Sequence, residues 1–504
     1  QVSSSSSSGV VEPQGSARRK VAMAARRSAV AMRLSALLAA AFATHAAADV
    51  ALRGSETLHQ VLVFDAGSSG TRIHVFNLLS SANNDRMHVP RVDLTVRSKQ
   101  ALKVKPGLSS FAERGDLEGT ERNIRELLSF ADQFVAKAKR ASTPVMLKAT
   151  AGLRAVTPEQ ASAVLERVRA TLLASGYRFR KEWADIIQGK EEGGLAWVAA
   201  NFLQGTFGTT AGGAQAQSVG VIEMGGGSTQ VTFEIDTGDM VAVSDDFVFE
   251  TALGRQYRLY AHSYLGYGQD HARDRLKALV PSGELYDPCY PHGYLRQGPA
   301  GSSSSIHGSG DFAHCKANIA TNLMSSSDDA PGIYRDELPL KAGNFIATEN
   351  FFYTQADLSL GLEGSALTSA ALEAAAGTAC SKTVQAEDKV AQACFALSFQ
   401  AELLRALKAS ERGAAVKIAH QVGGGDVAWA LGAALVHFLK GHSSSGGDSF
   451  DGTSFTSLLL AGLAMLLAGL GVVHVTGRTC TKQTFFEATG IPPYKIGVST
   501  CPVE

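Results

Sequence analysis

Two stretches of this chain follow one plan. Residues 61–76 read VLVFDAGSSGTRIHVF and residues 219–234 read VGVIEMGGGSTQVTFE. With Asp65 set on Glu223, a shift of 158 positions (223 − 65), the two run in step: apolar run, acid, one residue, Gly, three small residues, Thr, a polar residue, second alternating run. Alternation of apolar and polar residues predicts strands, and a tight cluster of Gly and Ser between them predicts a hairpin. The shift is too long for a short-period solenoid. A strand–turn–strand device used twice at this distance predicts two related α/β lobes, each built around its own hairpin.

The turn composition carries chemistry. Gly and Ser let backbone N–H groups converge on an anion without obstruction, and Ser and Thr hydroxyls add donors. An acid at the end of the strand repels phosphate, so its place beside the turn makes sense if a divalent cation lies between them. One such turn alone reads as an ordinary hairpin; the aligned pair points to a polyphosphate gripped from both sides. No GxxxxGK[ST] loop occurs.

Lys plus Arg and Asp plus Glu both total 47, so there is no basic excess of the kind a nucleic-acid protein shows. The ends differ from the body. Residues 1–48 are Ser-, Ala- and Arg-rich and contain LSALLAAAFA (Leu34–Ala43) before small residues at Ala46 and Ala48, the pattern of a signal peptide. An organelle transit peptide is the alternative reading. Near the other end, residues 455–475 hold no acid, Lys or Arg and are long enough to span a membrane. A Ser/Gly-rich linker, 442–454, precedes that segment, and a tail, 476–504, follows it with Arg478, Lys482 and Lys495. This predicts a luminal or extracellular body on one C-terminal transmembrane helix, in the Golgi, the ER or the plasma membrane. Cys289, Cys315, Cys380 and Cys394 lie in that body and would pair in an oxidising lumen; Cys289–Cys315 with Cys380–Cys394 is the simplest of three connectivities.

Three further blocks stand out: LKATAGLRA (147–155) with Thr150 and Arg154, IIQGKEEGGLAWVAANFLQG (186–205) with Glu191 and Glu192 at a strand–helix junction, and QVGGGDVAWALGAAL (421–435). Carboxylates in a helix's first turn are often dipole complements only, and Trp429 reads as packing. With these blocks in order, DAGSSGTR, TAGLR, GKEEGGLAW, EMGGGSTQ and DVAWALGA, the chain resembles the apyrases, the nucleoside triphosphate diphosphohydrolase family, over about residues 58–440. YRLYAHSYLGYG, DPCYPHGY and ENFFYTQADL also look like family text.

That resemblance implies an α/β fold of the actin-like ATPase type: two RNase H-like lobes with a nucleotide cleft, lobe I at 55–185 with 420–441 and lobe II at 186–419. It implies hydrolysis of the terminal phosphate of nucleoside di- or triphosphates with Ca²⁺ or Mg²⁺. Residue by residue, Glu192 matches the general base, with Ser228 and Gln230 placing the attacking water. Asp65 and Glu223 match the acids around the metal. Ser68, Ser69, Gly70, Thr71 and Arg72, with Gly225, Gly226 and Gly227, match the phosphate loops, and Thr150 and Arg154 the second block. Tyr353 and Phe399 fall where the family places aromatics around the base. Glu223 departs from the usual Asp, which sets the carboxylate farther from the backbone and bears on metal preference. Two readings compete: an exopolyphosphatase of the same superfamily, or an inactive surface protein that only binds nucleotide. A kinase or chaperone ATPase on the same lobes fits the leader and cysteines poorly.

Overall fold

The computed structural model describes residues 56–81, 90–93, 100–207, 216–235, 246–251, 255–278, 286–297, 305–325, 340–384 and 389–443. The expected leader, transmembrane segment and tail lie outside the described residues, as does nearly all of the linker. Among the described residues no helix is long and apolar enough to cross a membrane.

The first sheet contains β1 (Glu56–Ala66), β2 (Thr71–Ser81), β3 (Arg91–Val92), β4 (Ala101–Val104), β5 (Val145–Ala149) and β6 (Ala184–Ile186). Its order is β3-β2-β1-β5-β6, with β4 also paired to β2. The second sheet begins with β7 (Gly220–Met224), β8 (Ser228–Glu234), β9 (Asp246–Glu250) and β10 (Gln256–Leu265). A small sheet follows, β11 (Tyr286–Asp287), β12 (Leu295–Gln297) and β13 (Ser305–Gly308), before β14 (Gly343–Glu349) and β15 (Ala414–Ile418) complete the second sheet. β16 (Gln421–Val422) and β17 (Gly425–Asp426) form a short hairpin. The second sheet runs β15-β14-β7-β8-β10-β9. Both sheets therefore trace the same path: a central antiparallel hairpin, an antiparallel strand beyond its second arm, and two parallel strands beyond its first. The mixed α/β fold is a duplication.

Parallel neighbours require crossovers, and helices supply them. Pro158–Leu173 links β5 to β6; Thr157 and Gln160 form a capping box at its start and Pro158 takes the first turn, where no N–H is needed. Alternation then sets the layers. Leu62 and Phe64 of β1 enter the outer core under Leu117–Ala131 and Pro158–Leu173, whereas Val61 and Val63 face the opposite way. The second face meets a central core built on the helices Gly189–Gln204 and Trp429–Ser443, which also receives Val221 and Leu259 from the second sheet. Trp429 is buried there and has a packing role. The far side of the second sheet buries Ile222, Met224 and Phe345 under a helical layer held by Cys289–Cys315 and Cys380–Cys394, the simplest of the three pairings.

Candidate active site

The two hairpin turns are closed alike. Asp65 pairs with Arg72 across β1 and β2, and Glu223 pairs with Gln230 across β7 and β8, the same register 158 positions on. Gly67 N–H donates to Gly70 O at 3.1 Å, and Gly225 N–H donates to Ser228 O at 2.9 Å. The tips meet: a Cβ placed on Gly226 would lie 2.9 Å from Ser68 Oγ and one on Gly227 would lie 3.3 Å from it; the latter would also lie 2.8 Å from Ala151 Cβ in the short helix after β5. The second turn is held from behind. Gly225 O accepts from Gln269 N–H at 3.0 Å and from Asn350 Nδ2 at 2.9 Å; Gly226 O accepts from Asp270 N–H at 3.1 Å and His271 N–H at 3.0 Å. In a trans peptide the N–H points opposite to the C=O. The Gly226 and Gly227 amides therefore face away from that support, as an anion cradle needs.

Glu192 sits in the first turn of Gly189–Gln204, only 7% exposed. Arg154, at the end of the short helix after β5, donates to Glu192 Oε2 at 2.9 Å and to Ser228 Oγ at 3.2 Å. Its other arm donates to Ile187 O at 3.1 Å. Gln230 Nε2 donates to the same Glu192 oxygen at 3.1 Å, to Ser228 Oγ at 2.6 Å and to Ser263 Oγ at 3.1 Å. One acid is thus gripped by a guanidinium from one sheet's end and an amide from the other.

The carboxyls share one field. Burial pushes Glu192 up to about 7, with Arg154 opposing and Asp65 and Glu349 adding to the rise. Burial likewise pushes Asp65 up to about 6, against the pull of Arg72. Glu223 is held well above the usual carboxylate range by burial first, then by Glu192, Glu349 and Asp65. Its Oε2 is buried without a hydrogen-bond partner, and the residue is 4% exposed. A crowded set of acids, one with a buried oxygen that has no partner, beside a turn of Gly and Ser suits a divalent cation. Among the described residues no group of three or more His, Cys, Asp and Glu is arranged to hold a metal alone. Asp65 and Glu223 are the residues that would hold a cation, with water or phosphate oxygens completing its shell.

A family model described as GDA1/CD39 (nucleoside phosphatase) family matches residues 52–444. The chain belongs to that family. It is similar to Probable apyrase 5 of Arabidopsis thaliana, 33% identical over 332 residues, 60% of this chain and 65% of the relative. It thus spans just under two thirds of that plant relative's length. It is also similar to Ectonucleoside triphosphate diphosphohydrolase 6 of Homo sapiens, 30% identical over 419 residues, 78% of this chain and 80% of the relative. A crystal structure of nucleoside triphosphate hydrolases from Neospora caninum superposes with a TM-score of 0.58 at 17% identity, over 80% of this chain and 97% of that one, a likeness of fold.

In this GDA1/CD39 chain the residues singled out by sequence fall as follows. Asp65, Ser68, Gly226, Gly227, Glu223, Glu192, Ser228, Gln230 and Arg154 are brought together by the contacts and mutual charge effects given above. Ser69 is exposed and accepts from Lys103 Nζ at 2.9 Å. Gly70 is buried beneath the Lys103 chain, and Thr71 is fully buried. Thr150 precedes the short helix, its N–H bonded to Ala66 O at 3.2 Å. Tyr353 lies near Arg72, whose charge opposes the rise that burial gives the Tyr353 hydroxyl. Phe399 is corrected. It is 0% exposed and stacks on Phe395 at 5.6 Å in the second sheet's outer core, so it offers no face to a ligand. Its helix, Ala393–Ala406, is buried on nearly every side, which hid the direction of any one residue from sequence. Glu191 turns from the cleft toward Lys148 and Lys440, and burial raises it. Sequence reasoning missed Lys103, Ser263 and Glu349. The last two lie inside quoted family text, YRLYAHSYLGYG and ENFFYTQADL, but no local pattern gave either a role.

Proposed function

We propose that this chain hydrolyses the terminal phosphate of nucleoside di- or triphosphates, using water activated by Glu192 and depending on Ca²⁺ or Mg²⁺. The observation that supports the reading is the convergence on Glu192 of Arg154 and Gln230, both also bonded to Ser228, beside two Gly/Ser turns whose tips meet. Phosphoryl transfer to water asks mainly for positioning and charge stabilisation. A carboxylate titrating near 7 is matched to taking a proton at neutral pH. Both hydrogen bonds to Glu192 fall on Oε2, which leaves Oε1 for the attacking water. Ser228 and Gln230 would orient that water, and the amides of Gly226 and Gly227, with Ser68, would receive the phosphate oxygens and the charge that grows on them. A divalent cation, when bound near Asp65 and Glu223, would neutralise phosphate oxygens. Two disulfides support an oxidising compartment for the body.

The test is phosphate release by the purified protein from a nucleotide panel, with Ca²⁺, Mg²⁺ or EDTA. Release from nucleotides that EDTA abolishes is expected. Turnover of inorganic polyphosphate in place of nucleotides would turn the reading to an exopolyphosphatase, and nucleotide binding without turnover would turn it to an inactive binding protein.

A further inference from the structure

The duplication exposes a residue that breaks its own symmetry. In the first sheet β5 reaches the cleft with Ala149 opposite Ala66; in the second, β14 reaches it with Glu349 opposite Met224. A methyl group therefore stands on one side and a carboxylate on the other. Glu349 also holds its backbone at φ 58° and ψ −116°, a conformation that non-glycine residues seldom take and that costs of order 1–3 kcal/mol. The next residue, Asn350, is pinned through its side chain to Gly225 O at 2.9 Å and through its carbonyl to Gln400 Nε2 at 3.0 Å. The chain is thus bent at Glu349 and locked to the phosphate turn immediately after it.

The charge of Glu349 acts across the cleft. It bears on Asp65, Arg72 and Lys103 of the first sheet, on Glu192 and Glu223, and on Tyr353. Among the described residues, Asp65, Glu192, Glu223 and Glu349 are set against the cations Arg72, Lys103 and Arg154. The acids outnumber the bases, and Glu223 already has a buried oxygen without a partner. Asp65 and Glu223 are explained by a cation and Glu192 by its reaction with water. Glu349 is left without such a task.

We propose that Glu349 is a specificity-determining residue whose negative charge, set opposite Met224 at the edge of the second turn, disfavours the naked polyphosphate and restricts the site to the cation–nucleotide complex. This rests on the phosphate-site reading above. Without a cation, a polyphosphate entering the site meets Glu349 as one more like charge. With the cation bound to its phosphates, the ligand's net charge falls and that penalty shrinks.

The test is calorimetric binding of a non-hydrolysable nucleoside triphosphate analogue to the whole protein, with excess Mg²⁺ and with EDTA, for wild type and Glu349→Gln. In wild type the Mg²⁺ complex should bind more tightly than the free analogue. In Glu349→Gln the affinity in EDTA should rise on the order of tenfold, the effect of one nearby unit charge in a partly wet cleft, and the affinity in Mg²⁺ should change much less. An unchanged Mg²⁺-to-EDTA ratio, whatever the melting temperature does, overturns the proposal, since a purely structural residue would move stability alone. Should Glu349→Gln not fold, Glu349→Gly, which accepts a positive φ freely, gives the same reading. Failure of wild type to bind in either condition would bring down the phosphate site with it. Binding with equal discrimination by both proteins brings down only the role of Glu349.

Discussion

The hairpins β1–β2 and β7–β8 share register and closing hydrogen bond, yet their side chains have parted. Opposite its acid the first carries Arg72, and Lys103 lies over its turn. In the same place the second carries Gln230, joined to Ser228 and Ser263. Equivalent positions meet at the tips: Ser68 corresponds to Gly226 (226 − 158), and Ser68 Oγ occupies the space a side chain on Gly226 would need. Two copies of one turn can face each other closely only if one gives up its side chains. What the copies retain is the backbone turn. What they have divided is charge: the first hairpin carries Arg72, with Lys103 of β4 over its turn, and the second sets the neutral Gln230 and Ser228 beside Glu192.

That division predicts where each half breaks. The largest effect belongs to Glu192→Gln, which should lower kcat roughly 10²–10⁴-fold, the usual worth of a general base, with the melting curve intact; near-normal turnover removes Glu192 from that role. Next comes Arg154→Ala, which removes a charge-assisted hydrogen bond worth about 1.5–3 kcal/mol and so roughly ten- to a hundredfold in rate. Because Arg154 pulls the Glu192 carboxyl down, its loss should also move the acidic limb of the kcat–pH profile upward from about 7. A limb that stays in place would show that some other group sets it.

The turns themselves should answer the same substitution differently. Gly227→Ala drives a Cβ to 2.8 Å from Ala151 Cβ, where nothing flexible can yield, whereas Gly67→Ala meets Gly70 O at 3.5 Å and Asp65 Oδ1 at 3.8 Å, ordinary contact distances. Overpacking of the first kind costs about 1–3 kcal/mol, so KM should rise markedly for Gly227→Ala and hardly for Gly67→Ala; equal responses would mean that the second turn does not lie against the helix Ala151–Arg154 as described. A smaller change is expected from Glu223→Asp, which makes the two acids alike: metal preference between Ca²⁺ and Mg²⁺ should shift, by a roughly few-fold factor, because Mg²⁺ is the stricter in geometry. The smallest effect is on stability without metal. Asp65 and Glu192 titrate higher folded than unfolded, so the folded chain binds more protons between about pH 4 and 7 and loses stability as pH rises through that window. Thermal melts in EDTA should therefore fall from pH 5 to pH 8, and added Mg²⁺ should restore most of the loss at pH 8.

How much of this was legible beforehand follows from the range of the forces involved. The hairpins and the acids at their bends were readable because strand alternation and turn composition are short-range steric facts, complete within sixteen or so residues. Arg154 was visible as a polar handle, but its grip on Glu192, 38 residues away in sequence, was not. Lys103 and Glu349 belong to no local pattern, and Phe399 sits in a helix buried on nearly every side, so periodicity gave its side chain no direction.

By itself, then, the sequence determined the doubled strand–turn–strand units, the carboxylates that end them and the small residues that let backbone approach an anion, since each depends on neighbours along the chain. Only the tertiary structure decided which acids share a field, that one of them titrates near neutrality, and which of two equivalent tips keeps its side chain. Desolvation and charge act through space, and the distances they depend on exist only after the two sheets have closed on their common core.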